Sequence, residues 1–561
     1  MNNWKKRVQN LSSIKDVFMN NVGIQSLEEA NNWYKDFYAD NYPIRDMDKA
    51  VELVRSYKEK NIRIVGDYDL DGQSSTAILL LALISEGYSV QYDIPLRFSE
   101  GFGINNRIVN EIPDDTLIIT CDNGIAQVDE IANARERGLD VLVIDHHEPI
   151  VDNNEVIYPP ANVIINPVAI KDSCKFDGYC GAGLCFKFAR AFLENKNPEL
   201  LCKLQSLAAI GTIADVMRLT DENYALVRIA LSRITSPVYC PTGLYNLILA
   251  ANLADKEVSS KDIGFTIAPI LNSVSRLDDA GAVEAIKLLT IIEDYRSVEA
   301  RELANKFIAL NTRRKELQTE LCVQAEKLID EKYSSDIPIV LYLPNVQEGL
   351  LGPVAANITK KYRRPAFVLT DTPYDILKGS ARSYGNYNVK EELDKVSSLL
   401  FRYGGHAGAA GISVERENLD ALRKSLNQNA KDYEYSTDIM YDLDLSIEEI
   451  PGAIEELKKY APYGEGNPEP VFKINGFKTV KDNRKNAFFT FMGKAGKSVK
   501  IFGNGVDAVN FSSADEFADM VNKNPKLKTG SVELEFIGKI SNNVFNGRIS
   551  RQVEYEDVKI S

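Results

Sequence analysis

Histidine is scarce in this chain, with only three among 561 residues. Two of them, His146 and His147, stand side by side after Asp145, and the third is His406 in the stretch GGHAGAAG. Imidazole is the side chain best suited to proton transfer near neutral pH and is a common metal ligand. The placement of so rare a residue therefore indicates a functional site.

The chain also lacks paired cysteines and long apolar runs. Its seven cysteines are odd in number and scattered, with no CxxC pair, which argues against a disulfide framework and against a zinc site. No apolar run approaches the length of a membrane span, and the first residues, MNNWKKRVQN, contain no apolar core of a secretion signal. We therefore expect a cytoplasmic protein that does not associate with membranes.

Basic residues are fewer than acidic ones, with 66 Lys and Arg against 80 Asp and Glu, so the formal net charge is -14. This excludes a uniformly basic nucleic-acid coat, but it leaves room for a local basic channel or a phosphate site bridged by metal ions. A hydrophobic content of 44% over this length is enough for several hydrophobic cores. We expect three or four domains.

The order of apolar and helical segments predicts an α/β fold class. Residues 1–60 are mostly helical in pattern, and from 61 to 284 short apolar runs such as IRIVGDYD and TLIITCDNGI alternate with helical segments. Strand, helix and strand in succession are typical of a parallel sheet with helices on its faces. The sequence thus predicts a parallel-sheet domain over residues 61–284.

Three further segments follow this domain. Residues 285–333 contain no proline or glycine and predict a long connecting helix, and residues 334–432 predict a smaller second α/β domain. Residues 437–561 are rich in short strand-like runs and predict a small β-barrel or sandwich. Within it, Phe489 and Phe491 would share one face of a strand, either stacking on bases or packing in a core; we expect core packing on at least one face.

Acidic residues follow the apolar runs of the first domain. Asp67, Asp122 and Asp145 each come at the end of a predicted strand, and the carboxyl ends of parallel strands meet at one edge of a sheet. Carboxylates suit Mg²⁺ or Mn²⁺, and added imidazole favours Mn²⁺. Two such ions about 4 Å apart promote phosphoester hydrolysis. The groups available for them are Asp67, Asp69, Asp71, Asp122, Asp145, His146, His147 and Asp215.

Each of these elements has a simpler interpretation when it is taken alone. The run DYDLDG is similar to a calcium loop, although the later loop glutamate is missing. Asp122, followed by Asn and Gly, could form a turn or a helix cap, and Asp215 could do the same. The two adjacent histidines could be a buried hydrogen-bonded pair. Their shared position at strand ends favours one joint site.

Other residues are candidates for binding a phosphate. The glycines around His406 could cradle an anion with their N–H groups or could form a tight strand-turn-helix connection. Ser380 and Arg382, in KGSARS, supply a hydroxyl and a guanidinium fork. Arg97 and Arg276 lie beside turn-forming residues, so each is either an anion contact or an ordinary surface arginine.

Taken in order, the motifs resemble those of a known family. DYDLDG, CDNGI, IDHHEP and GTIAD resemble the four motifs of the DHH phosphoesterase superfamily, and GGHAGAAG resembles the motif of the associated DHHA1 domain. With APILNSVSRLDDA and APYGEGNPEPVF, the sequence most resembles the RecJ family of single-strand-specific exonucleases. The resemblance covers nearly the whole chain beyond the N-terminal helices.

This resemblance implies an enzyme that removes nucleotides from single-stranded DNA in the 5′→3′ direction, with Mn²⁺ or Mg²⁺, in DNA repair or recombination. It implies a DHH domain, a DHHA1 domain and a C-terminal OB-fold. We expect a monomer, with a single-strand-binding protein or a helicase as candidate partners. The alternatives are a DHH phosphodiesterase acting on short oligonucleotides or cyclic dinucleotides, which usually lacks the OB-like segment, and a non-catalytic DNA-binding scaffold, which would have lost the carboxylates.

The resemblance also assigns roles to individual residues. It implies that one ion is held by Asp67, Asp69 and Asp122, and that the other is held by Asp71, Asp122, His146 and Asp215. His147 would face the scissile phosphate, with Asp145 orienting the histidine pair. The residues implied to hold the 5′ phosphate are Arg97, Ser380 and Arg382, and those implied to contact DNA elsewhere are Arg276 and His406.

Three positions depart from the family pattern. Leu70 replaces a small residue in the first motif, where its side chain should point away from the carboxylates. Ser275 stands where glycine is usual, and Gln347 stands where a histidine is often found. These differences concern fine positioning of the substrate and not metal binding.

Overall fold

The computed structural model describes residues 3–39, 43–431, 433, 438–493, 496–511, 513–545 and 548–561. The expected domain-end residues 432 and 437 lie outside these ranges. The N-terminal elements are β1 (Asn3–Lys6), α1 (Ile14–Val22), α2 (Leu27–Ala39) and α3 (Met47–Arg55). The helical prediction for this region holds for α1 to α3, whereas β1 was not predicted because its parallel partner strand, Asp438–Tyr441, lies more than 400 residues away in the sequence.

The first domain contains the predicted parallel sheet, which has five strands in the order β3-β2-β4-β5-β8. Its elements are β2 (Asn61–Val65), α4 (Leu70–Ser85), β3 (Ser89–Asp93), α5 (Asn106–Glu111), β4 (Thr116–Cys121), α6 (Val128–Glu136), β5 (Asp140–Ile144), β6 (Ile150–Asp152), β7 (Glu155–Ile157) and β8 (Val163–Ile165). From β2 the chain first adds β3 on one side and then β4 on the other. The strand order therefore reverses between β2 and β4, where open parallel sheets bind their ligands.

Helices complete this domain. They are α7 (Gly181–Leu193), α8 (Pro198–Ala214), α9 (Asp221–Leu231), α10 (Thr242–Ala250), α11 (Ser260–Asp262), α12 (Ala268–Leu277) and α13 (Gly281–Leu289), with a π-helical turn at Ile263–Ile267. Helix α4 is buried all round from Leu70 to Leu83, because it packs against the sheet on one side and against α7 and α8 on the other. Residues 77–83 of this helix are apolar on every face, and such a segment requires enclosure on all sides.

The prediction of one helix over residues 285–333 is wrong in its first part. Helix α13 ends at Leu289, and a loop precedes the long helix α14 (Val298–Leu328), which continues into a π-helical turn at Ile329–Tyr333. Ser297 caps α14 by accepting a hydrogen bond from the Ala300 N–H. The loop contains Asp294 and Ser297, residue types that favour caps over helix interiors. Helix α14 packs against α10, α12 and α15, and so it joins the two α/β domains.

The second domain has a five-stranded sheet with the order β12-β13-β11-β10-β9. Its elements are β9 (Ile339–Tyr342), α15 (Glu348–Tyr362), β10 (Ala366–Asp371), β11 (Ile376–Arg382), α16 (Val389–Lys395), β12 (Arg402–His406), β13 (Ala409–Glu415) and α17 (Leu419–Asn429). The glycine-rich stretch GGHAGAAG is the turn of an antiparallel hairpin between β12 and β13. The strand-turn-helix interpretation is therefore wrong, because the chain pairs back on itself before the helix begins.

The C-terminal domain has a seven-stranded mixed sheet with the order β15-β16-β20-β21-β19-β18-β17. Its elements are β14 (Asp438–Tyr441), β15 (Leu443–Ser446), α18 (Ile450–Lys459), β16 (Phe472–Lys478), β17 (Phe489–Met492), β18 (Ser498–Ile501), β19 (Val506–Asn510), α19 (Ala514–Lys523), α20 (Lys526–Thr529), β20 (Glu533–Phe545) and β21 (Arg548–Ile560). The Phe489 ring packs 5.2 Å from that of Phe517, which supports the expected core packing, while Phe491 is 43% exposed. None of the described helices is both long and apolar enough to cross a membrane.

Candidate active site

Three buried aspartates follow three adjacent strands at the edge where the strand order reverses. Asp67 comes after β2, Asp122 after β4 and Asp145 after β5, and each is at most 3% exposed. Asp122 has a positive φ of 61°, a conformation that aspartate tolerates better than most residues. Because neighbouring parallel strands end at the same edge, the sheet brings together carboxylates that are far apart in the sequence.

The remaining aspartates of DYDLDG lie where the chain turns from β2 into α4. Asp69 is the N-cap of α4, and its Oδ1 accepts hydrogen bonds from the N–H groups of Asp71 at 3.0 Å and Gly72 at 3.2 Å. A Cβ at Gly72 would lie 2.6 Å from the Asp67 backbone nitrogen, so only glycine fits there. The three alternate aspartates therefore occupy a loop, a cap and a helical turn, and they do not line one face of a strand.

Asp71 is held by the N-terminus of α7. Its Oδ2 accepts a hydrogen bond from Gly181 N–H at 2.7 Å and its Oδ1 accepts one from Ala182 N–H at 3.0 Å. The positive end of a helix stabilises a carboxylate placed there. A Cβ at Gly181 would lie 2.6 Å from the Cβ of Asp122, so glycine allows α7 to approach both carboxylates. The sequence analysis did not select Gly181; the signal available was the pair of glycines opening an apolar helix in CGAGLCFKF.

His146 lies among three of the carboxylates. Its Nε2 is 3.1 Å from Asp122 Oδ1, 3.6 Å from Asp215 Oδ2 and 3.7 Å from Asp71 Oδ2. Burial lowers the pKa of His146 below its ordinary value, although the surrounding carboxylates oppose this shift. A neutral imidazole is the form that binds a metal ion.

Asp145 organises the histidine pair. Its Oδ1 accepts hydrogen bonds from His147 Nδ1 and from the His146 backbone N–H, each at 2.7 Å, and its Oδ2 accepts one from the Ile125 N–H at 2.9 Å. Burial alone would raise the pKa of Asp145, but the hydrogen bond and charge of His147 outweigh it, and the pKa is lowered. Burial would likewise lower the pKa of His147, but Asp145 raises it to about 9. The ring of Phe102 packs edge-on against the imidazole of His147, with 5.1 Å between ring centroids.

Three groups of side chains in the described chain have ligand atoms within 4.8 Å of one another. The groups are Asp67, Asp69 and Asp122; Asp71, His146 and Asp215; and Asp122, His146 and His147. The structure thus brings together all of the residues predicted as metal ligands. The third group also places His147 within reach of an ion, a position that the sequence analysis did not assign to it.

The chemistry of this cluster fits divalent cations. Burial is the largest cause that raises the pKa values of Asp67, Asp69, Asp122 and Asp215, and repulsion between the carboxylates adds to it. The pKa of Asp215 reaches about 8. In addition, Asp67 Oδ1 is buried without a hydrogen-bond partner among the described residues. Cations would relieve both the repulsion and the unpaired oxygen.

Two asparagines that the sequence analysis did not select hold the backbone around the cluster. Asn123 Nδ2 donates to the carbonyls of Val65 at 3.1 Å and Cys121 at 2.9 Å, and so it ties the ends of β2 and β4 together. Asn272 Oδ1 accepts a hydrogen bond from the Leu70 N–H at 2.9 Å. Leu70 itself is fully buried in the main hydrophobic core, as expected. Ser275, on the same helix as Asn272, is also buried.

Arg97 borders the acidic cluster. Its guanidinium lies 4.6 Å from the ring centroid of Tyr68, the residue between Asp67 and Asp69. Its positive charge opposes the rise in the pKa values of both aspartates. A guanidinium stacked on an aromatic ring keeps its donors free for an anion.

A second cationic group lies between the two α/β domains. Burial is the main cause that lowers the pKa of Arg276 to about 10, and the charges of Arg97, Arg314 and Arg382 lower it further. Arg314, on α14, was missed because a charged residue on a long polar helix gives no local signal. Its Nε donates to Asn311 Oδ1 at 3.0 Å and its Nη1 donates to Gln318 Oε1 at 2.8 Å. A buried arginine whose pKa is lowered by burial and by neighbouring arginines is suited to binding an anion.

Two glycines on α15 make room for these arginines. A Cβ at Gly349 would lie 3.0 Å from the Cα of Arg276, and a Cβ at Gly352 would lie 2.8 Å from Nη2 of Arg382. Arg382 Nη1 also donates to Ser380 Oγ at 2.9 Å. Helix α15 therefore contacts one arginine from each domain, Arg276 of the first and Arg382 of the second. Gln347 is the N-cap of this helix and makes no capping hydrogen bond with its side chain.

His406 lies apart from the acidic cluster. It is exposed at the end of β12, where its Nδ1 accepts a hydrogen bond from the Gly408 N–H at 3.2 Å, and it belongs to none of the three ligand groups found in the described chain. Its pairing partner on β13 is Ala409, which pairs on its other side with Arg382 of β11. His406 and Arg382 are therefore level on the sheet, about 10 Å apart across two strand spacings.

Comparison with known proteins places these features in families. Residues 61–212 match the model of the DHH family N-terminal domain, residues 338–432 match the DHHA1 domain and residues 441–557 match the RecJ OB domain. The single-stranded-DNA-specific exonuclease RecJ of Haemophilus influenzae is 32% identical over 477 residues, which cover 80% of this chain and 81% of that protein. The RecJ of Bacillus subtilis is 32% identical over 544 residues, and this chain spans 65% of its length.

Among solved structures, RecJ from Thermus thermophilus in complex with Mn²⁺ matches with a TM-score of 0.76 and 28% identity, covering 97% of this chain and 75% of that one. The parallel-sheet domain with its acidic edge and the α/β domain that follows it match the DHH and DHHA1 models, so the protein is of the DHH and DHHA1 class. Within that class, the chain belongs to the RecJ family of single-stranded-DNA-specific exonucleases. The resemblance read from the sequence motifs is thus confirmed.

Proposed function

We propose that this protein is a metal-dependent exonuclease that degrades single-stranded DNA in the 5′→3′ direction by phosphodiester hydrolysis, in DNA repair or recombination. The observation that carries the proposal is the convergence of five aspartates and a histidine at the switch point of the sheet, with ligand atoms within 4.8 Å of one another in each group. The family relatives named for this activity support it. The retained carboxylates favour a catalyst over a DNA-binding scaffold.

Two divalent ions, Mn²⁺ or Mg²⁺, fit the cluster. Asp67, Asp69 and Asp122 would hold one, and Asp71, Asp122, His146 and Asp215 would hold the other, with Asp122 between them. When bound, such a pair supplies an activated water and neutralises the charge on the phosphate oxygens. The α7 N-terminus and the Asp69 cap hold the ligands in place before the ions bind.

His147 supplies a proton donor beside the ions. Because Asp145 accepts from Nδ1, the proton on Nε2 of the charged imidazole points away from Asp145 and is available to a phosphate oxygen of the scissile bond. In the metal-free protein Asp145 raises the pKa of His147 to about 9, so the imidazole is charged at neutral pH before the ions bind. Asp145 acts through His147 and is a positioning residue.

The arginines between the domains would select the 5′ end of the strand. Arg97, Arg382 and Ser380 offer donors for a terminal phosphate, while Arg276 and Arg314 add positive charge to the same region. His406, level with Arg382 on the sheet, would contact a phosphate nearby. An OB domain beside this cleft would favour a single strand, whose unpaired bases can stack on aromatic side chains.

We further propose domain bounds of 61–284, 334–432 and 437–561, with the connecting segment 285–333 between the first two. We expect the protein to act as a monomer in the cytoplasm. A single-strand-binding protein or a helicase would deliver its substrate. The domain bounds are supported by the three separate matches to domain models.

The test is digestion of single-stranded DNA that carries a label at the 5′ or the 3′ end, with Mn²⁺, with Mg²⁺ or with a chelator. Wild-type protein should release mononucleotides from the 5′ end with either metal and none with the chelator. Asp122→Ala removes the carboxylate shared by two ligand groups and should abolish release. Release from the 3′ end, activity without metal or full activity of Asp122→Ala would each contradict the proposal.

A further inference from the structure

The C-terminal domain reaches the first domain through the loop 460–467, YAPYGEGN, which follows α18. This segment, called here the clamp loop, contains most of the motif APYGEGNP, for which the proposed function supplies no role. It lies against the turn 215–220, which begins at Asp215, the last carboxylate of the acidic cluster.

The contact between the clamp loop and the turn is close. The Leu219 N–H donates to the Glu465 carbonyl at 2.7 Å, and Leu219 is only 2% exposed. A Cβ at Gly464 would lie 2.7 Å from Cδ1 of Leu219, and a Cβ at Gly466 would lie 3.1 Å from Cγ2 of Thr220. Both glycines therefore let one backbone lie directly on the other.

The clamp loop is itself held in one shape. Asn467 is fully buried, and its Nδ2 donates to the carbonyls of Tyr460 at 3.0 Å and Pro462 at 2.8 Å. Arg228 of α9 anchors it from the first domain, since its Nη1 donates to the Ala461 carbonyl at 2.9 Å. Ser260 Oγ donates to the Tyr463 carbonyl at 2.5 Å. A rigid loop fixed at both sides can constrain the segment that it touches.

The turn that it touches contains a strained residue. Val216, directly after Asp215, has a φ of 57°, a left-handed conformation that is a true outlier for a β-branched side chain. Its side chain is 65% exposed, so little packing compensates for the strain. Such a conformation persists only when the surrounding structure imposes it. The near end of the turn is bonded to α8, because the Met217 N–H donates to the Thr212 carbonyl at 3.1 Å. The far end is held by the clamp loop together with Asn223, whose Nδ2 donates to the Arg218 carbonyl at 3.1 Å.

We propose that the clamp loop of the C-terminal domain is a positioning element of the metal centre: it holds the turn 215–220 in the strained conformation that places Asp215 beside Asp71 and His146. The C-terminal domain then supports metal binding in addition to contacting the DNA strand. This inference rests on the proposed function, in which Asp215 is a metal ligand.

The first experiment removes the hydrogen bonds that shape the loop. Asn467→Ala is made in the full chain, Mn²⁺ binding is measured by isothermal titration calorimetry, and amide hydrogen exchange of residues 212–220 is measured in the metal-free protein. We expect the Mn²⁺ dissociation constant to rise about tenfold, as for other residues that support metal ligands. We also expect faster exchange in the turn. Gly464→Ala, which clashes with Leu219, should act in the same way and serves if Asn467→Ala fails to fold.

A second substitution separates positioning from general destabilisation. Val216→Gly allows the positive φ without strain, so the turn should need the clamp loop less. We therefore expect Val216→Gly to restore most of the Mn²⁺ affinity lost in Asn467→Ala. Lys261→Ala is the control, because it removes a salt bridge of 2.6 Å to Glu554 between the same two domains without touching the loop. It should leave Mn²⁺ affinity unchanged.

The outcomes distinguish this inference from the proposed function. If wild type binds Mn²⁺ and Asp122→Ala does not, but Asn467→Ala and Gly464→Ala bind like wild type, the clamp loop has no positioning role and the proposed function stands. Equal loss in Lys261→Ala, or no recovery with Val216→Gly, also overturns the inference. If wild type binds no Mn²⁺, both proposals fall.

Discussion

His147 Nδ1 lies 2.7 Å from Oδ1 of the buried Asp145, which also accepts the backbone N–H groups of His146 and His147. The carboxylate thus fixes both the orientation and the charge of the imidazole. The same side chain receives the Ile125 N–H on its other oxygen, so it cannot rotate without losing hydrogen bonds. Through this hydrogen bond, Asp145 at the edge of the sheet positions His147, the proposed proton donor.

Asp145→Asn should lower the pKa of His147 from about 9 toward its ordinary value of 6.5, because the compensating negative charge is removed. Proton NMR of the imidazoles in metal-free protein measures this directly, since the chain has only three histidines. The rate constant kcat should fall roughly 100-fold, as when a proton donor is lost. An unchanged His147 titration would contradict the assigned role of Asp145.

Gly181→Ala should weaken metal binding although it removes no ligand. The new Cβ would lie 2.6 Å from Asp122 Cβ, so either α7 or Asp122 must move. We expect Mn²⁺ affinity to fall about tenfold, as for other supporting residues. Gly183→Ala is the matched control on the same helix, because its Cβ would meet only ordinary contacts at 3.6 Å or more. Equal affinities of the two variants would show that the close approach of α7 to Asp122 is unimportant.

The stability of the metal-free protein should fall as pH rises. The pKa of Asp215 is about 8 in the folded chain against an ordinary value of 3.8, so between these values the folded form binds a proton that the unfolded form has released. Stability from this group is therefore present at low pH and is lost as pH rises through about 8. Thermal unfolding in chelator should give a higher Tm near pH 6 than near pH 8.

Saturating Mn²⁺ should reverse this trend, because the ion binds the deprotonated carboxylates. Asp215→Asn cannot titrate and should show a flatter dependence in chelator. A metal-free Tm that rises from about pH 6 to about pH 8 would contradict the raised pKa of Asp215.

Arg382→Ala should reduce the preference for a phosphorylated 5′ end. Hydrogen bonds to charged groups contribute about 1.5–3 kcal/mol, so the ratio of kcat/KM for phosphate and hydroxyl 5′ ends should fall about tenfold or more. Arg416→Ala is the control in the same domain, because Arg416 is on the surface and pairs with Asp371 and Asp375. An unchanged ratio in Arg382→Ala would remove this residue from the proposed 5′ site.

Arg314→Ala tests the arginine that the sequence analysis missed. If Arg314 adds charge to the same anion site, its removal should raise KM for DNA with a 5′ phosphate. It should also raise the pKa of Arg276, because the charge of Arg314 lowers that pKa. Arg313→Ala, one residue away on the exposed face of α14, is the matched control. Equal KM values for the two variants would confine Arg314 to a structural role.

The sequence by itself determined the class of fold and most of the acidic site. Alternating apolar and helical segments are a local property, so the parallel sheet and the position of Asp67, Asp122 and Asp145 at strand ends could be predicted. The scarcity of histidine marked His146 and His147 in the same way. The local pattern also predicted one helix where the structure has two. It missed the loop between α13 and α14, which ends at Ser297, the N-cap of α14.

Only the tertiary structure decided which groups support that site. Gly181, Asn272 and Arg314 act on residues between about 40 and 200 positions away, and the sequence around each of them gives no sign of that contact. Strand β1 likewise forms only by pairing with a distant strand, Asp438–Tyr441, and the clamp loop contacts a turn that lies more than 200 residues before it in the sequence. Periodicity records which face of an element is buried, but it carries no information about which distant residue will lie against it, because that depends on how the packed elements meet.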